Sequence, residues 1–397
     1  MKIFFITSKL NFVSAGGSVE EFDLIIKTLQ KWENEVTVIT VFSEFNDIPT
    51  TLSYSLIQEN IVPRSLWGIQ KGIFKILQKY ESQADVFHLD GHLFLFGAGA
   101  YRRWGGKIPV SAFFNRELTS WPELISVFFG RSSYSLFKKM KRGLRYVAER
   151  YIGMFLANGI DLTTFISPFF QQAYEDFGLR KKSNSLVIGD PIDWRGIMKN
   201  NSISSEFYCA RNKIRQPITL FYSSRMAAGK GFDVLLKGFS EIKKKENFRL
   251  VLGGNGPEEK KVRAMIQDLQ LTPYVDLLGW VSKERLYELH KTVDIFIQAD
   301  WMPIGTSISL VYAMAFGIPS ILPAGGGLAW MAGDCALYFS RYNTKELAQA
   351  IEKLGNDPEL RSQLSRNCYR RLARPQFDYE YQINLLYQEM GKLKNEL

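Results

Sequence analysis

Residues 218–239 read ITLFYSSRMAAGKGFDVLLKGF, and this stretch decides the fold. Ile218–Ser223 is rich in β-branched and aromatic residues, which predicts a buried strand. A loop with Lys230 between two glycines follows, and Phe232–Lys244 then has apolar residues at helical spacing. A strand, a glycine loop and a helix in this order are typical of a doubly wound parallel α/β sheet.

The same order recurs along the whole chain. Further predicted strands are Lys2–Thr7, Glu35–Val41, Ala84–His88, Ile108–Phe113, Leu162–Ser167, Leu186–Gly189, Phe248–Gly253, Val275–Gly279 and Asp294–Gln298. We therefore predict an α/β protein with two tandem Rossmann-like domains, residues 1–195 and 196–376, and an amphipathic helix over residues 377–397. The polar stretch Lys199–Gln216 is expected to link the two domains.

The composition is that of a folded protein without a predicted membrane span. The chain has 397 residues, 46% of them hydrophobic, and no apolar run approaches the roughly 18 residues that a spanning helix needs. Its apolar start is too short for a signal peptide, and its three cysteines fit neither a disulfide framework nor a zinc site. We therefore expect a cytoplasmic protein, and the net charge of +10 favours anionic partners.

Two glycine-rich turns are candidates for phosphate binding. Gly16 and Gly17 follow the first predicted strand, and Arg225 and Lys230 lie in the turn after Ile218–Ser223. Glycine lets backbone N–H groups approach an anion, and a guanidinium fork beside an ammonium suits a diphosphate. A plain tight turn and a solvated surface charge are the alternative interpretations.

A third candidate is the start of the helix that follows Asp294–Gln298. Gly305, Thr306 and Ser307 precede a segment with almost no polar face, and Gly317 ends it. The helix is therefore predicted to be buried, with backbone N–H groups and two hydroxyls at its positive end. An ordinary capped core helix is the alternative.

Together these stretches resemble the retaining GT-B glycosyltransferases of family 4, also called glycosyl transferases group 1. FYSSRMAAGKGFDVLLKGF, residues 221–239, is similar to the family's diphosphate turn. LVLGGNGPEE, residues 250–259, is similar to its G-x-G-P turn, at Gly254. GGGLAWMAGDCALYF, residues 325–339, and IGDPID, residues 188–193, are similar to two further family motifs. The resemblance implies two tandem Rossmann-like domains in the GT-B arrangement, with the final helix packed back on the first domain.

The resemblance also implies a function. The donor would be a nucleotide-diphosphate sugar bound by the second domain as a substrate, with no cofactor, and the first domain would receive the acceptor. Arg225 and Lys230 would stabilise the departing diphosphate, so that no metal is implied. The acceptor would be a glycan or a polyprenyl-diphosphate-linked sugar, and the hexosyltransferase-like reaction would serve the synthesis of a cell-surface polysaccharide.

The family's usual acidic residues are absent. Its two active-site glutamates fall on Ile304 and Tyr312, and a third glutamate falls on Trp330. A family histidine falls on Asn115, and the family's H-x-H text reads His88-Leu89-Asp90 and is followed by His92. The resemblance makes Asp90, His92 and Asn115 candidates for sugar or acceptor contacts, and Tyr312 for the ribose pocket. Two hypotheses follow: an active transferase with a repacked ribose pocket, or a catalytically decayed protein that acts as a binding or assembly partner.

The stretch Tyr134–Ile160 is basic and aromatic, with apolar residues at helical spacing. One interpretation is a core helix with a solvated basic face. The other is a surface for an anionic membrane, extended by Ser65–Tyr80, which would place the protein at the inner face of the cell membrane. Nucleic-acid binding is disfavoured by the tandem Rossmann-like pattern.

Overall fold

The computed structural model describes residues 1–12, 17–49, 51–115, 136–212, 216–302 and 304–395. The chain divides into two compact units: Met1–Pro191 together with Tyr379–Leu397, and Ile192–Asp378. The polar stretch Lys199–Gln216 lies inside the second unit, where Ile203 and Tyr208 are buried. Its predicted role as a linker is therefore wrong.

The first unit alternates strands and helices. Its strands are β1 (Lys2–Thr7), β2 (Glu35–Thr40), β3 (Ser55–Gln58), β4 (Val86–Asp90), β5 (Val110–Phe114), β6 (Leu162–Phe165) and β7 (Leu186–Val187). Its helices are α1 (Gly17–Lys31), α2 (Leu66–Tyr80), α3 (Leu95–Arg103), α4 (Leu136–Val147), a π-helical turn (Ala148–Gly153), α5 (Met154–Ala157) and α6 (Pro168–Asp176). The basic stretch predicted as one helix is thus interrupted by the π-helical turn.

The strands of the first unit form a parallel sheet in the order β3-β2-β1-β4-β5-β6-β7. Because both faces are covered by helices, β1 and β2 are buried over nearly their whole length. The final helix of the chain (Tyr379–Asn395) supplies Ile383, Leu386 and Met390 to the core on one of these faces. The predicted return of this helix to the first unit is confirmed.

The second unit repeats the pattern. Its strands are β8 (Ile218–Ser223), β9 (Phe248–Gly253), β10 (Val275–Gly279), β11 (Ile295–Ile297), β12 (Ser320–Pro323) and β13 (Ala336–Phe339). Its helices are α7 (Trp194–Asn200), α8 (Phe207–Arg211), α9 (Phe232–Ser240), α10 (Glu259–Asp268), α11 (Lys283–Thr292), α12 (Ile308–Ala315), α13 (Gly326–Ala332), α14 (Thr344–Asn356) and α15 (Pro358–Leu372); the final helix of the first unit is α16. The sheet is again parallel, in the order β10-β9-β8-β11-β12-β13.

The buried helix predicted after Asp294–Gln298 is α12. Ser307 is its N-cap and accepts a hydrogen bond from the Leu310 N–H at 3.4 Å, and every residue from Leu310 to Ala315 is buried. Gly317 has a φ of +67°, the left-handed conformation that commonly ends a helix. The predicted fold class, two Rossmann-like domains in the GT-B architecture, is confirmed. Among the described residues, no helix is both long and apolar enough to cross a membrane.

Candidate functional site

Each sheet has one point at which the strand order reverses. In the second sheet this point lies between β8 and β11, which are paired although two strands separate them in the sequence. Ligands of open α/β sheets bind beyond the carboxyl ends of such strands, because the loops that leave them diverge. The loops to consider are therefore residues 224–231 after β8 and residues 298–307 after β11.

These two loops pack closely. The Trp301 N–H donates to the Gly229 carbonyl at 3.0 Å. Gly231 has a φ of +70°, and a Cβ atom there would lie 1.8 Å from the Ala299 carbonyl oxygen. Only glycine therefore permits this approach, which brings Lys230 beside the second loop.

Lys230 is fixed by a buried carboxylate. Its Nζ lies 2.9 Å from Asp300 Oδ1, and the Asp300 side chain is only 1% exposed whereas that of Lys230 is 33% exposed. Asp300 Oδ2 accepts from Gln298 Nε2 at 2.8 Å. The ammonium group has three N–H donors, so it keeps donors for a ligand after pairing with Asp300.

The Tyr222 hydroxyl completes this arrangement from β8. It is fully buried and lies 2.9 Å from the Lys230 carbonyl oxygen and 3.0 Å from Asp300 Oδ2, so it donates to either acceptor. Burial and the neighbouring Asp300 charge raise the pKa of Tyr222 well above its usual value. The hydroxyl therefore stays protonated and holds both loops together.

Arg225 lies on the same loop and is exposed. The turn after β9 packs against this loop, where the Met226 N–H donates a hydrogen bond to the Asn255 carbonyl at 2.7 Å. Gly254 has a φ of +113°, and a Cβ atom there would lie 1.8 Å from the Ser224 carbonyl oxygen. The Gly254 N–H donates a hydrogen bond to the Gly279 carbonyl at 2.6 Å. The Gly254 backbone thus shapes the loop that carries Arg225. Its predicted contact with the nucleotide-sugar substrate stays a prediction.

The amino end of α12 lies on the same side of the sheet. Gly305 is buried, and a Cβ atom at Gly327 would lie 1.5 Å from the Gly305 carbonyl oxygen, so α13 begins against this loop. The Thr306 Oγ1 atom is buried and has no hydrogen-bond partner in the described part of the chain. An unsatisfied buried hydroxyl costs about 1–3 kcal/mol, which a ligand that accepts from it would recover.

The positions of the missing glutamates hold packed apolar side chains. Tyr312 is 7% exposed and its ring lies 5.6 Å from that of Tyr287. Ile304 is half-buried against the core, and the Trp330 ring lies 5.7 Å from Phe377. No carboxylate occupies these three positions, and Tyr312 is a core residue of α12.

Arg341 is a further cation at this edge that the sequence reasoning missed. It follows β13 by two residues, its Nε atom is buried, and that atom has no hydrogen-bond partner within the described ranges. A Cβ atom at Gly326 would lie 3.1 Å from Arg341 Nη2, which places the guanidinium at the start of α13. The available signal was an arginine directly after the carboxyl end of a predicted parallel strand.

The corresponding reversal in the first sheet lies between β1 and β4. Asp90 ends β4 and accepts from Thr7 Oγ1 at 3.2 Å, and His92 begins the 3₁₀ turn that follows. Asn115 comes directly after β5, and its Oδ1 atom is buried without a hydrogen-bond partner among the described residues. Gly17 is the first residue of α1, and Gly16 lies outside the described residues.

Glu21 on α1 was also missed, because only the folded chain brings it to this edge. Burial, followed by the nearby charges of Asp190 and Asp90, raises the pKa of Glu21 well above its usual value. The first unit therefore carries an acidic edge. By contrast, His88 is buried in the sheet, where burial lowers its pKa to about 3 and keeps it neutral.

Within the described ranges, no group of three or more His, Cys, Asp or Glu side chains is placed to hold a metal ion. The expected absence of a metal or cofactor stays a prediction.

Comparison with known proteins relates this geometry to a family. Residues 206–371, which lie within the second unit, match the family model "Glycosyl transferases group 1". Mannosylfructose-phosphate synthase of Agrobacterium fabrum is 26% identical over 209 residues, 48% of this chain and 44% of that protein. The chain thus spans less than half the length of this curated relative.

Two solved structures extend the likeness to the whole chain. Sucrose-phosphate synthase of Thermosynechococcus elongatus has a TM-score of 0.76 at 17% identity, and HepE of Anabaena in complex with UDP has a TM-score of 0.70 at 19% identity. Both comparisons cover all of both chains. At these identities they show the fold. Together, the matches show the GT-B fold for the whole chain and a likeness of the second unit to glycosyl transferases group 1.

Proposed function

We propose that this protein transfers a sugar from a nucleotide-diphosphate sugar to a glycan or lipid-linked acceptor, with retention of configuration. The observation that carries this proposal is the arrangement at the β8–β11 reversal. There, the Lys230 ammonium and the buried Thr306 hydroxyl lie on two loops that pack together at the carboxyl edge of the sheet, and the hydroxyl has no hydrogen-bond partner among the residues that the structure describes. HepE, which has the same fold, was crystallised with UDP.

The second unit would bind the diphosphate through complementary donors. The Lys230 ammonium and the Arg225 guanidinium supply charge-assisted hydrogen bonds, and the start of α12 supplies backbone N–H groups and the Thr306 hydroxyl. Asp300 offsets the charge of Lys230, so the net attraction for an anion comes from Arg225, Arg341 and the positive end of α12. Arg341 was not among the residues that the sequence predicted.

The transfer itself needs little from a protein base. In a front-face reaction, the bond between the sugar's anomeric carbon and the diphosphate oxygen breaks, and the acceptor oxygen bonds to the same face of that carbon. The acceptor's proton passes to the departing phosphate oxygen, which gains the electron pair of the broken bond. Lys230 and Arg225 stabilise the charge that develops on the diphosphate, and the reaction is proposed to need no metal.

The absence of the two glutamates has a defined consequence. A carboxylate that accepts from a ribose or sugar hydroxyl contributes about 1.5–3 kcal/mol, or roughly 10-fold to 100-fold in affinity. Ile304 and Tyr312 provide no such acceptor pair, so we expect weak selection for the ribose hydroxyls. UDP and 2′-deoxy-UDP should bind with similar affinity.

The first unit is proposed to receive the acceptor. Asp90 and Asn115 present oxygen acceptors at the carboxyl edge of its sheet, and His92 lies in the adjoining turn. Such groups suit the hydroxyls of a glycan or of a sugar linked to a polyprenyl diphosphate. The proposed role is in cell-surface polysaccharide synthesis, in the cytoplasm or at the inner face of the membrane. The comparisons do not favour the catalytically decayed alternative.

The test is the consumption of donor by the purified protein. UDP-sugars and GDP-sugars are incubated with the wild type, with Arg225→Ala and with Lys237→Ala, which changes an exposed lysine on α9. Slow release of UDP or GDP by the wild type and by Lys237→Ala, with loss in Arg225→Ala, supports transfer chemistry at this site. Nucleotide binding without any release would support the decayed protein, and equal release by all three proteins would contradict the site.

A further inference from the structure

The helices on one side of the first unit carry a large excess of basic over acidic residues. We define the basic helical surface as α2, α3, α4, the π-helical turn and α5; α2 packs against α3, and α3 packs against α5. These elements contain 11 of the chain's 50 basic residues and one of its 40 acidic residues. The remaining 39 basic and 39 acidic residues balance, so this surface accounts for the whole net charge of +10.

The one acidic residue is hidden from solvent. Glu149 is 1% exposed and accepts from Arg145 Nε at 2.7 Å. Glu149 therefore adds little to the field outside these helices. Lys79 and Arg102 pair with Glu59 and Asp161, which lie outside the defined elements. The positive field of the surface therefore comes from its other basic side chains.

The same surface also exposes large apolar side chains at helical spacing. Those of α4, the π-helical turn and α5 recur every three or four residues: Phe137, Met140, Leu144, Val147, Tyr151 and Phe155. Phe137 is 77% exposed, Leu144 70% and Tyr151 68%. Residues at this spacing form one stripe along a helix, and soluble proteins rarely leave such a stripe open.

The stripe continues onto the neighbouring helices. The Arg103 guanidinium lies 4.1 Å from the centre of the Phe155 ring, which joins α3 to α5. Trp104, at the end of α3, is 65% exposed, and its ring lies 6.1 Å from that of Phe74 on α2. Aromatic rings with adjacent basic groups are typical of residues at the boundary between lipid headgroups and acyl chains.

We propose that the basic helical surface docks on an anionic lipid bilayer, with the apolar stripe inserted among the headgroups. The charge alone would also attract a nucleic acid or an acidic protein. The stripe favours lipid, because a bilayer buries large apolar side chains and offers phosphates to the flanking lysines and arginines at the same time. The docking needs no activity of the second unit, so it is independent of the proposed sugar transfer.

The experiment is co-sedimentation of the full chain with vesicles, at low and at high salt. Vesicles of phosphatidylcholine alone are compared with vesicles that also contain phosphatidylglycerol. We expect binding only to the mixed vesicles, with a loss of about tenfold or more at high salt, since each basic group near the surface adds to the attraction. Equal binding to both vesicle types, or none to either, would overturn the proposal.

Two sets of variants separate charge from insertion. Lys71→Glu/Lys75→Glu/Lys141→Glu changes exposed lysines of the surface, and Lys243→Glu/Lys244→Glu/Lys260→Glu changes exposed lysines of the second unit by the same total charge. The first set should lower vesicle binding by about tenfold or more and the second by less than about threefold. Equal losses would mean that only the overall charge matters, and would contradict a defined surface.

Phe137→Ser/Leu144→Ser removes two side chains of the stripe without changing the charge. Leu278→Ser, an exposed leucine of β10, is its control. Loss of vesicle binding in the first variant alone supports insertion. If the stripe variant instead keeps full vesicle binding but changes the protein from a dimer to a monomer, the stripe is an interface between two copies of the chain and the proposal fails. Circular dichroism checks that each variant is folded.

Discussion

The two units share one topology but have opposite chemistry at the same place. Each has a parallel sheet whose order reverses beside its first strand, at β1 and β4 in one unit and at β8 and β11 in the other. The edge of the first sheet carries Glu21, Asp90 and Asp190, whereas that of the second carries Lys230 and Arg225. The fold thus fixes where a ligand binds, and the loop residues decide which ligand it is.

The two edges also differ in whether the charge of a buried carboxyl group is compensated. In the second unit, Asp300 has an ammonium partner and accepts a further hydrogen bond, so its charge is compensated. In the first unit, burial and then the charges of Asp190 and Asp90 raise the pKa of Glu21, so the ionised form of its carboxyl is disfavoured. The comparison therefore predicts opposite effects on stability when either charge is removed.

The largest effect is expected from Asp300→Asn. The change removes the charged partner of Lys230 but keeps the shape of the side chain. The free energy of unfolding should therefore fall by about 1–3 kcal/mol, the cost of leaving a buried polar group without its partner. The nucleotide affinity should fall as well, because Lys230 is no longer held. Urea unfolding and UDP titration measure the two effects.

The matched control is Asp276→Asn, which breaks the ion pair with Arg249 on the surface of the same unit. Exposed ion pairs contribute about 0–1 kcal/mol. If both variants lose the same stability, Asp300 does not anchor Lys230.

A pH effect of similar size should occur in both units. Burial lowers the pKa of His88 to about 3 and that of His290 to about 4, from the usual 6.5. As the pH falls below 6.5, the unfolded chain takes up protons that the folded chain does not. Each histidine should therefore lower the free energy of unfolding by up to about 1.4 kcal/mol per pH unit, down to its folded pKa.

Urea unfolding of the wild type, His88→Gln and His290→Gln between pH 5 and pH 6.5 measures this dependence. Each variant should lose one histidine's share of the slope. An unchanged slope in either variant would show that the native histidine is protonated in that unit, against the burial seen here.

A smaller effect is expected from Thr306→Val, which removes the buried hydroxyl at the start of α12 that has no hydrogen-bond partner within the described part of the chain. UDP affinity should fall by roughly 2-fold to 10-fold, the value of one hydrogen bond, while the thermal midpoint without ligand should rise slightly. The variant should thus bind UDP more weakly and yet be slightly more stable without ligand. A hydroxyl with only a structural role would not give this combination when it is removed. Thr292→Val, on the exposed side of α11, should change neither UDP affinity nor the midpoint by as much.

The smallest effect is expected from Glu21→Gln. A carboxyl with a raised pKa is more easily protonated in the folded chain, so it contributes stability at low pH that is lost as the pH rises above 4.5. Glutamine stays neutral, so the variant should be more stable than the wild type at pH 8 and nearly equal to it near pH 4.5. Thermal unfolding at both pH values measures this. Destabilisation at pH 8 would contradict the acidic edge of the first unit.

The sequence predicts the fold well because its signals are local. Strands such as β1, β2 and β11 are short runs of β-branched and aromatic residues, and Gly317 marks the end of α12 by its own conformation. The strands β3, β12 and β13 have weaker patterns and are not among the predicted strands. Lys230 was predicted for a similar reason, since it lies between two glycines directly after a strand. Local pattern therefore located both the sheet edge and one of its cations.

The remaining site residues depend on contacts between distant parts of the chain. Asp300 becomes the anchor of Lys230 only when the loops after β8 and β11 meet, and Arg341 reaches Gly326 only when β12 and β13 pair. Glu21 is an ordinary helix residue until the chain brings Asp90 and Asp190 beside it. The spacing of residues in the sequence does not predict these long-range contacts.

The central claim is that the cations after β8 bind the diphosphate of a nucleotide. Calorimetric titration of UDP and UMP against the wild type and Arg225→Ala/Lys230→Ala tests it most directly, with Lys237→Ala as the control. The double variant should lose at least about 10-fold to 100-fold in UDP affinity and much less in UMP affinity, because the second phosphate is the group these cations would bind. An unchanged preference for UDP over UMP in the double variant would contradict the claim.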